Sequence, residues 1–236
     1  MISLNELSNF KVTSYEITAI VDSALCVGAG GSSGSLADKP IVRNSEGNLL
    51  IPASQIKGRL RHECEKIARG LNWAVCDSPN PQTMCPQRAG LTENFACPEY
   101  QVANYDGKHC LICQIFGNPV LQSRLLFDDL ICTEMPENLA EVLRPGVTIN
   151  RRRRVAEEQK VYFLETSPAN AKLNFTGQIH LSGAPNCAGI LVLAGLHHIH
   201  ALGGSKSAGL GWLHWEFPKL PVEQAAWNFI ARGDKL

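Results

Sequence analysis

Five of the chain's nine cysteines, Cys76, Cys85, Cys97, Cys110 and Cys113, fall within residues 72–118, a stretch rich in Pro and Asn with no sustained apolar period. A loop of that length is uncommon in a compact domain unless something holds it together. Cys110-Leu-Ile-Cys113 is a C-x-x-C knuckle, and Cys85 and Cys97 each precede a proline. Thiolates in spaced pairs satisfy tetrahedral Zn²⁺ and let a coreless loop fold around the ion. Five cysteines and His109 compete for four places. A secreted disulfide framework fits poorly, because the cysteine count is odd and Met1 to Phe10 has neither a basic start nor an apolar stretch. That absence of a signal peptide predicts a reducing, cytoplasmic setting. A thioredoxin-like redox site is disfavoured by the irregular surroundings of the knuckle. A zinc deaminase is disfavoured because no H-x-E lies upstream of it.

Outside that stretch the pattern is regular. Val12 to Val21 alternates, with Tyr15, Ile17, Ala19 and Val21 on one side, and predicts a half-buried strand. Leu49 to Ile51 follows a turn at residues 44–47. Ser54 is placed to cap a helix that carries Ile56, Leu60, Cys64 and Ile67 on one face and ends at Gly70. Leu125 to Ile131, Val147 to Arg154, Val161 to Glu165 and Leu173 to Leu181 read as strands, with residues 150–160 an exposed loop or ribbon. Ala188 to Ala201 is apolar nearly all round, the mark of a buried helix. Leu213, Trp215 and Phe217 share one face of a closing strand, and Val222 to Ala231 predicts a short tail helix. This order predicts a single α+β domain over residues 1–236, with a ferredoxin-like core and two large excursions.

The 22 basic and 22 acidic residues cancel, so any nucleic-acid site has to be a local patch. The longest apolar run, Ala188 to Leu196, is too short to cross a bilayer, which predicts no membrane partner. Arg151, Arg152, Arg153 and Arg154 form the one dense basic run, suited to backbone phosphates if it projects on a ribbon. Lys57, Arg59 and Arg61 add cations in the first two turns of the helix. Two glycine-rich loops, Gly28 to Gly34 and Leu202 to Gly211, miss the dinucleotide and P-loop spacings. Even so, Gly203, Gly204, Ser205 and Lys206 bring backbone N–H groups and an ammonium where phosphates can approach.

As an ordered set these motifs resemble the RAMP (repeat-associated mysterious protein) superfamily, specifically the backbone subunit of type III CRISPR effector complexes. The resemblance runs from about Tyr15 to Phe217. It is carried by Ala37-Asp-Lys-Pro-Ile-Val-Arg43, Gly47 and Ile51-Pro-Ala-Ser-Gln-Ile-Lys-Gly-Arg-Leu-Arg61. The segments Cys110-Leu-Ile-Cys-Gln-Ile-Phe-Gly117, Val147-Thr-Ile-Asn-Arg151 and Leu202 to Gly211 complete it. The first glycine loop and residues 76–113 look closest to the III-D-like branch. An Asp is common in the family where Asn150 stands.

The resemblance implies a modified ferredoxin-like (RRM-like) palm, a zinc-binding insertion at 72–118 and a thumb β-hairpin at 147–165. It implies that Cys76, Cys85, Cys110 and Cys113 hold structural Zn²⁺, with Cys97 the substitute. Lys57, Arg59, Arg61 and the loop Gly203 to Lys206 would hold guide RNA, and Arg151 to Arg154 would lie on the thumb that wedges into the guide–target duplex. Asp38 matches the aspartate with which family members cut target RNA, as a base or as a ligand for a divalent cation such as Mg²⁺. Its partners would be guide (CRISPR) RNA, target RNA and other effector subunits, including neighbouring backbone subunits. The rival expectation is a non-catalytic subunit that only binds guide RNA and positions target.

Overall fold

The computed structural model describes residues 12–28, 37–80, 82–85, 109–169, 171–184 and 187–217. The expected tail helix at 222–231, Cys97 and most of the first glycine loop lie outside them. The elements run β1 (Val12–Val21), β2 (Leu50–Ile51), α1 (Ala53–Gly70), α2 (Leu111–Phe116), β3 (Leu125–Phe127), β4 (Leu130–Cys132), β5 (Val142–Asn150), β6 (Val155–Thr166), β7 (Leu173–Ser182), α3 (Ala188–His197) and β8 (Leu213–Glu216). Short 3₁₀ turns sit at Pro136–Asn138 and Lys206–Ala208.

Among the described residues, one antiparallel sheet has the order β2-β4-β7-β1-β8, with β3 also on β7. Reading β1, α1, β4, β7, α3 and β8 as a β-α-β-β-α-β unit, this is the ferredoxin-like arrangement. β1 and β7 pair from Val12↔Ser182 to Val21↔Leu173, so Ala19 faces Phe175 and Val21 faces Leu173 on the inner side. Those residues, with Ile17, Ile179, Leu213 and Trp215, are buried against Ile56, Leu60 and Cys64 of α1 and Leu191 and Leu196 of α3. The helices cross closely at Gly195, where a Cβ would stand 2.6 Å from Cys64 Sγ and 2.7 Å from Leu60 Cδ1. The predicted alternation of β1 and the all-apolar character of α3 are both present.

Two local expectations differ. Leu125 to Ile131 is not one strand: it breaks at Asp128-Asp129 into β3 and β4, whose registers on β7 differ by one residue (Phe127↔Ile179, then Ile131↔Thr176). The slip behaves as a bulge and re-aims Asp129. Its carboxylate accepts the Ala53 N–H at 2.7 Å, so it caps α1 from across the sheet. Ser54, expected to be the cap, lies one residue inside the helix, whose N-cap is Pro52 and has no side-chain cap of its own.

The basic ribbon is a hairpin inserted between β4 and β7. It spans Val142–Thr166, wider than the 147–165 expected, and only residues 151–154 form its turn. Pro145 and Gly146 look like a strand break in sequence, but a two-stranded ribbon has free edges that tolerate a proline. Gly146 lies under the ring of Tyr162, which fills the place of a side chain there. Opposite Thr148, β6 carries extra residues between Ala156 and Val161, a bulge centred near Gln159 with its φ of 58°. No helix among the described residues is long and apolar enough to cross a membrane.

Candidate metal centre and nucleic-acid interface

Cys110 precedes α2 and Cys113 lies in its first turn, so the knuckle places both sulfurs at one end of a fully buried helix. Cys76 arrives from the chain leaving α1, and Cys85 from the turn that follows. The four sulfurs are buried and lie within 4.8 Å of one another. Cys76 Sγ stands 3.5 Å from Cys113 Sγ and 3.6 Å from Cys110 Sγ. These separations are far beyond a disulfide bond. They approach the edge of about 3.8 Å that Zn–S bonds of about 2.3 Å give a tetrahedron. Cys110 N–H also donates to Cys85 Sγ at 3.3 Å. Cys76 is held far below the usual thiol range by hydrogen bonds from its neighbours, first Cys110, then Cys113 and Cys85. The donor set and spacing suit a tetrahedral, sulfur-preferring ion. His109 is outside the quartet, its Nδ1 lying 2.9 Å from Asn118 Nδ2.

The three α1 cations already have protein partners. Lys57 Nζ donates to Ser123 Oγ at 2.8 Å, and burial, then Arg61, lowers its pKa. Arg59 pairs with the buried Glu63 at 2.8 Å. Arg61 reaches Glu65, the Gly117 carbonyl and Cys113 Sγ. Burial opposes its charge, but Cys113, Glu65 and Cys76 together outweigh burial and hold it above its ordinary range.

Asp38 is exposed at the foot of the hairpin. Its N–H donates to the Phe163 carbonyl at 3.0 Å, and its Oδ2 accepts the Phe163 N–H at 2.7 Å. Lys39 bridges in parallel to Leu164, and Glu165 N–H donates to the Lys39 carbonyl. Glu165, itself buried, accepts the Ile41 N–H and the Arg43 guanidinium, each at 3.1 Å. The strip 38–43 is therefore fastened along the inward end of β6. Sequence reading missed Glu165 and Arg43; the available signal was a single carboxylate ending the apolar run Val161 to Leu164.

At the far end of the hairpin, Asn150 Oδ1 accepts the N–H groups of Arg152 and Arg153, while its Nδ2 donates to Glu157 at 2.6 Å. An Asp there would supply the acceptor but not the donor. The turn presents Arg151 to Arg154 to solvent. Arg153 pairs with Glu157 at 3.7 Å, and among the described residues Arg151, Arg152 and Arg154 carry no ion pair.

The second glycine loop lies on the extended segment leaving β1. Gly204 N–H donates to the Cys26 carbonyl at 2.6 Å and Gly211 N–H to that of Ala24 at 2.9 Å. Gly203 (φ 89°) and Gly211 (φ 70°) press against the Cys26 and Leu202 carbonyls, where a Cβ has no room. The Gly204 amide thus serves packing, and what the loop offers outward is the exposed arc 204–209 with Lys206.

The structure brings together the cysteine quartet with Arg61, Asp38 with the hairpin foot, and the Gly203 loop with Cys26. The four tip arginines form a separate group. Residues 18–214, most of the chain, match the family model of the RAMP superfamily. No curated protein matches the chain.

Proposed function

The chain belongs to the RAMP superfamily, whose members generally bind CRISPR RNA, and on that premise we propose that it is a guide-RNA-binding backbone subunit of a type III interference complex that cuts complementary RNA at Asp38. The observation that carries the reading is the presentation of Asp38. One carboxylate oxygen is anchored on Phe163, and among the described residues Oδ1 accepts no hydrogen bond. A target strand splayed by the hairpin would expose its own nucleophile, the 2′-hydroxyl. Oδ1 takes that proton as the 2′-oxygen bonds to the adjacent phosphorus and the P–O5′ bond breaks; the departing 5′-oxygen takes a proton from water. Among the described residues no other His, Cys, Asp or Glu joins Asp38 in a metal-holding group. A divalent cation such as Mg²⁺, expected from the resemblance, would take the Asp38 carboxylate as a ligand, the rest of its shell being water and phosphate oxygens.

Arg151 to Arg154, Lys206 and the exposed arc around it supply phosphate contacts at two places, which suits backbone recognition with little base readout. Lys57 and Arg59 join them by exchanging their present partners. Cys76, Cys85, Cys110 and Cys113 would hold Zn²⁺, which supplies folding free energy to a segment without its own core. Guide RNA, target RNA, neighbouring backbone subunits and other effector subunits are the partners.

A second reading, a scaffold that binds guide RNA without cutting, is favoured by one observation: the Asp38–Phe163 bond gives Asp38 a purely structural use. The two readings separate in Asp38→Asn, whose amide oxygen still accepts from Phe163 but cannot take a proton. Assembled with guide RNA, D38N and D38A should bind target and cut it at least about a hundredfold more slowly. Undiminished cutting in both would leave the scaffold reading.

A further inference from the structure

α1 presents Lys57, Arg59 and Arg61 in its first turns, and the three turn to different neighbours. Arg59 faces Glu63, which also holds Lys66 at 3.0 Å. Arg61 faces the cysteines, and each of its three guanidinium nitrogens meets a different partner. Nε donates to Glu65 Oε1 at 3.1 Å, Nη1 to the Gly117 carbonyl at 2.9 Å, and Nη2 lies 3.7 Å from Cys113 Sγ. We propose that Arg61 is a positioning residue of the metal centre, orienting Cys113 and offsetting the charge of the four thiolates, and not a ligand for guide RNA. This rests on the metal reading above.

The fork spans both ends of one turn. Gly117 N–H donates to the Cys113 carbonyl at 2.9 Å, so Arg61 meets the Cys113 sulfur and the carbonyl of Gly117, the residue whose N–H closes the turn. Gly117 has no room for a side chain: a Cβ there would stand 2.7 Å from Ser123 N. One helical turn earlier Lys57 holds the Oγ of Ser123, a residue that packs on Gly117 and not on the cysteines. Four thiolates around a dication leave two net negative charges in a buried site, and such charge is stable only when paired. A guanidinium suits this role because its planar nitrogens serve several acceptors at once, whereas an ammonium is a point charge.

The test compares the full chain with R61Q, R61K and R59Q by zinc competition against a chelator, cobalt absorption and the salt dependence of RNA binding. R61Q should bind zinc about 10–100-fold more weakly, the usual effect of losing an outer-sphere partner. Its RNA salt slope should equal the parent's, and R59Q should keep the parent's zinc affinity. R61K retains the charge but only one of three contacts; its thiolate-to-cobalt absorption should shift, which decides the matter if R61Q fails to fold. Parent-like zinc affinity in R61Q, parent-like absorption and affinity in R61K, or a slope reduced by about 0.7 in R61Q (one lost phosphate on single-stranded RNA) would each overturn the assignment. A parent that takes up neither zinc nor cobalt would defeat the metal reading and this inference together, whereas a metal-binding parent with an indifferent R61Q defeats this inference alone.

Discussion

Replacing Glu165 by Ala should loosen the strip that carries Asp38. Glu165 accepts the N–H of Ile41, a residue only 5% exposed, and the guanidinium of Arg43, whose side chain is 26% exposed. Losing the first acceptor leaves a buried N–H unpaired, at about 1–3 kcal/mol. A fully buried ion pair costs about 3–5 kcal/mol to break from one side. Arg43 is partly solvated and keeps the Gly47 carbonyl and a distant contact to Glu141, so its share here is nearer 1 kcal/mol. The expected total is about 2–4 kcal/mol, read from urea unfolding by linear extrapolation. Glu165→Gln retains one acceptor oxygen and should lose about half as much. Hydrogen exchange at the Ile41 amide localises the effect, since it should accelerate in Glu165→Ala while core amides such as that of Phe175 follow global stability. A loss under about 1 kcal/mol, with the Ile41 amide unchanged, would refute the idea that this carboxylate fastens the strip.

Cys113→Ser should abolish the zinc uptake proposed for the quartet and increase protease sensitivity within 72–118, as metal analysis and limited digestion would show; zinc binding equal to the parent's would contradict it. RNA binding through about six phosphate contacts gives a log–log salt slope near −4, a fall of about 300-fold between 50 and 200 mM salt, checked by titration at several salt concentrations. Gly195→Ala should destabilise by about 1–3 kcal/mol, because the new methyl meets Cys64 and Leu60 across the helix crossing. A thermal melt of that variant matching the parent would show that the two helices can move apart.

Elements whose signal is local periodicity were legible in sequence: the alternation of β1, the apolar girth of α3 and the inner face of β8. The cysteine window and its knuckle were legible too, but residue patterns alone left Cys97 and His109 competing with the quartet. What sets His109 apart from the quartet is tertiary, the return of Cys76 and Cys85 to one end of α2, while Cys97 lies outside the described residues. The cap on α1 was invisible for the same reason, since Asp129 lies 76 residues from the N–H it accepts. The hairpin limits were misjudged because Pro145-Gly146 reads as a break, and only a ribbon with open edges makes it harmless. Arg61 read as one of three equivalent cations. Its distinction lies in the helix face it occupies and in what packs there.

The hairpin is long relative to its foot. Nine residues of β5 at about 3.4 Å each make an arm of about 30 Å, and the strip bearing Asp38 is sewn to the inner end of that arm. A tilt of about 5° at the foot sweeps the arginines through about 3 Å, while the carboxylate hardly shifts. In mechanical terms Asp38 sits at the fulcrum and the basic turn at the end of the lever. Movement of the tip is therefore largely decoupled from the position of the Asp38 carboxylate.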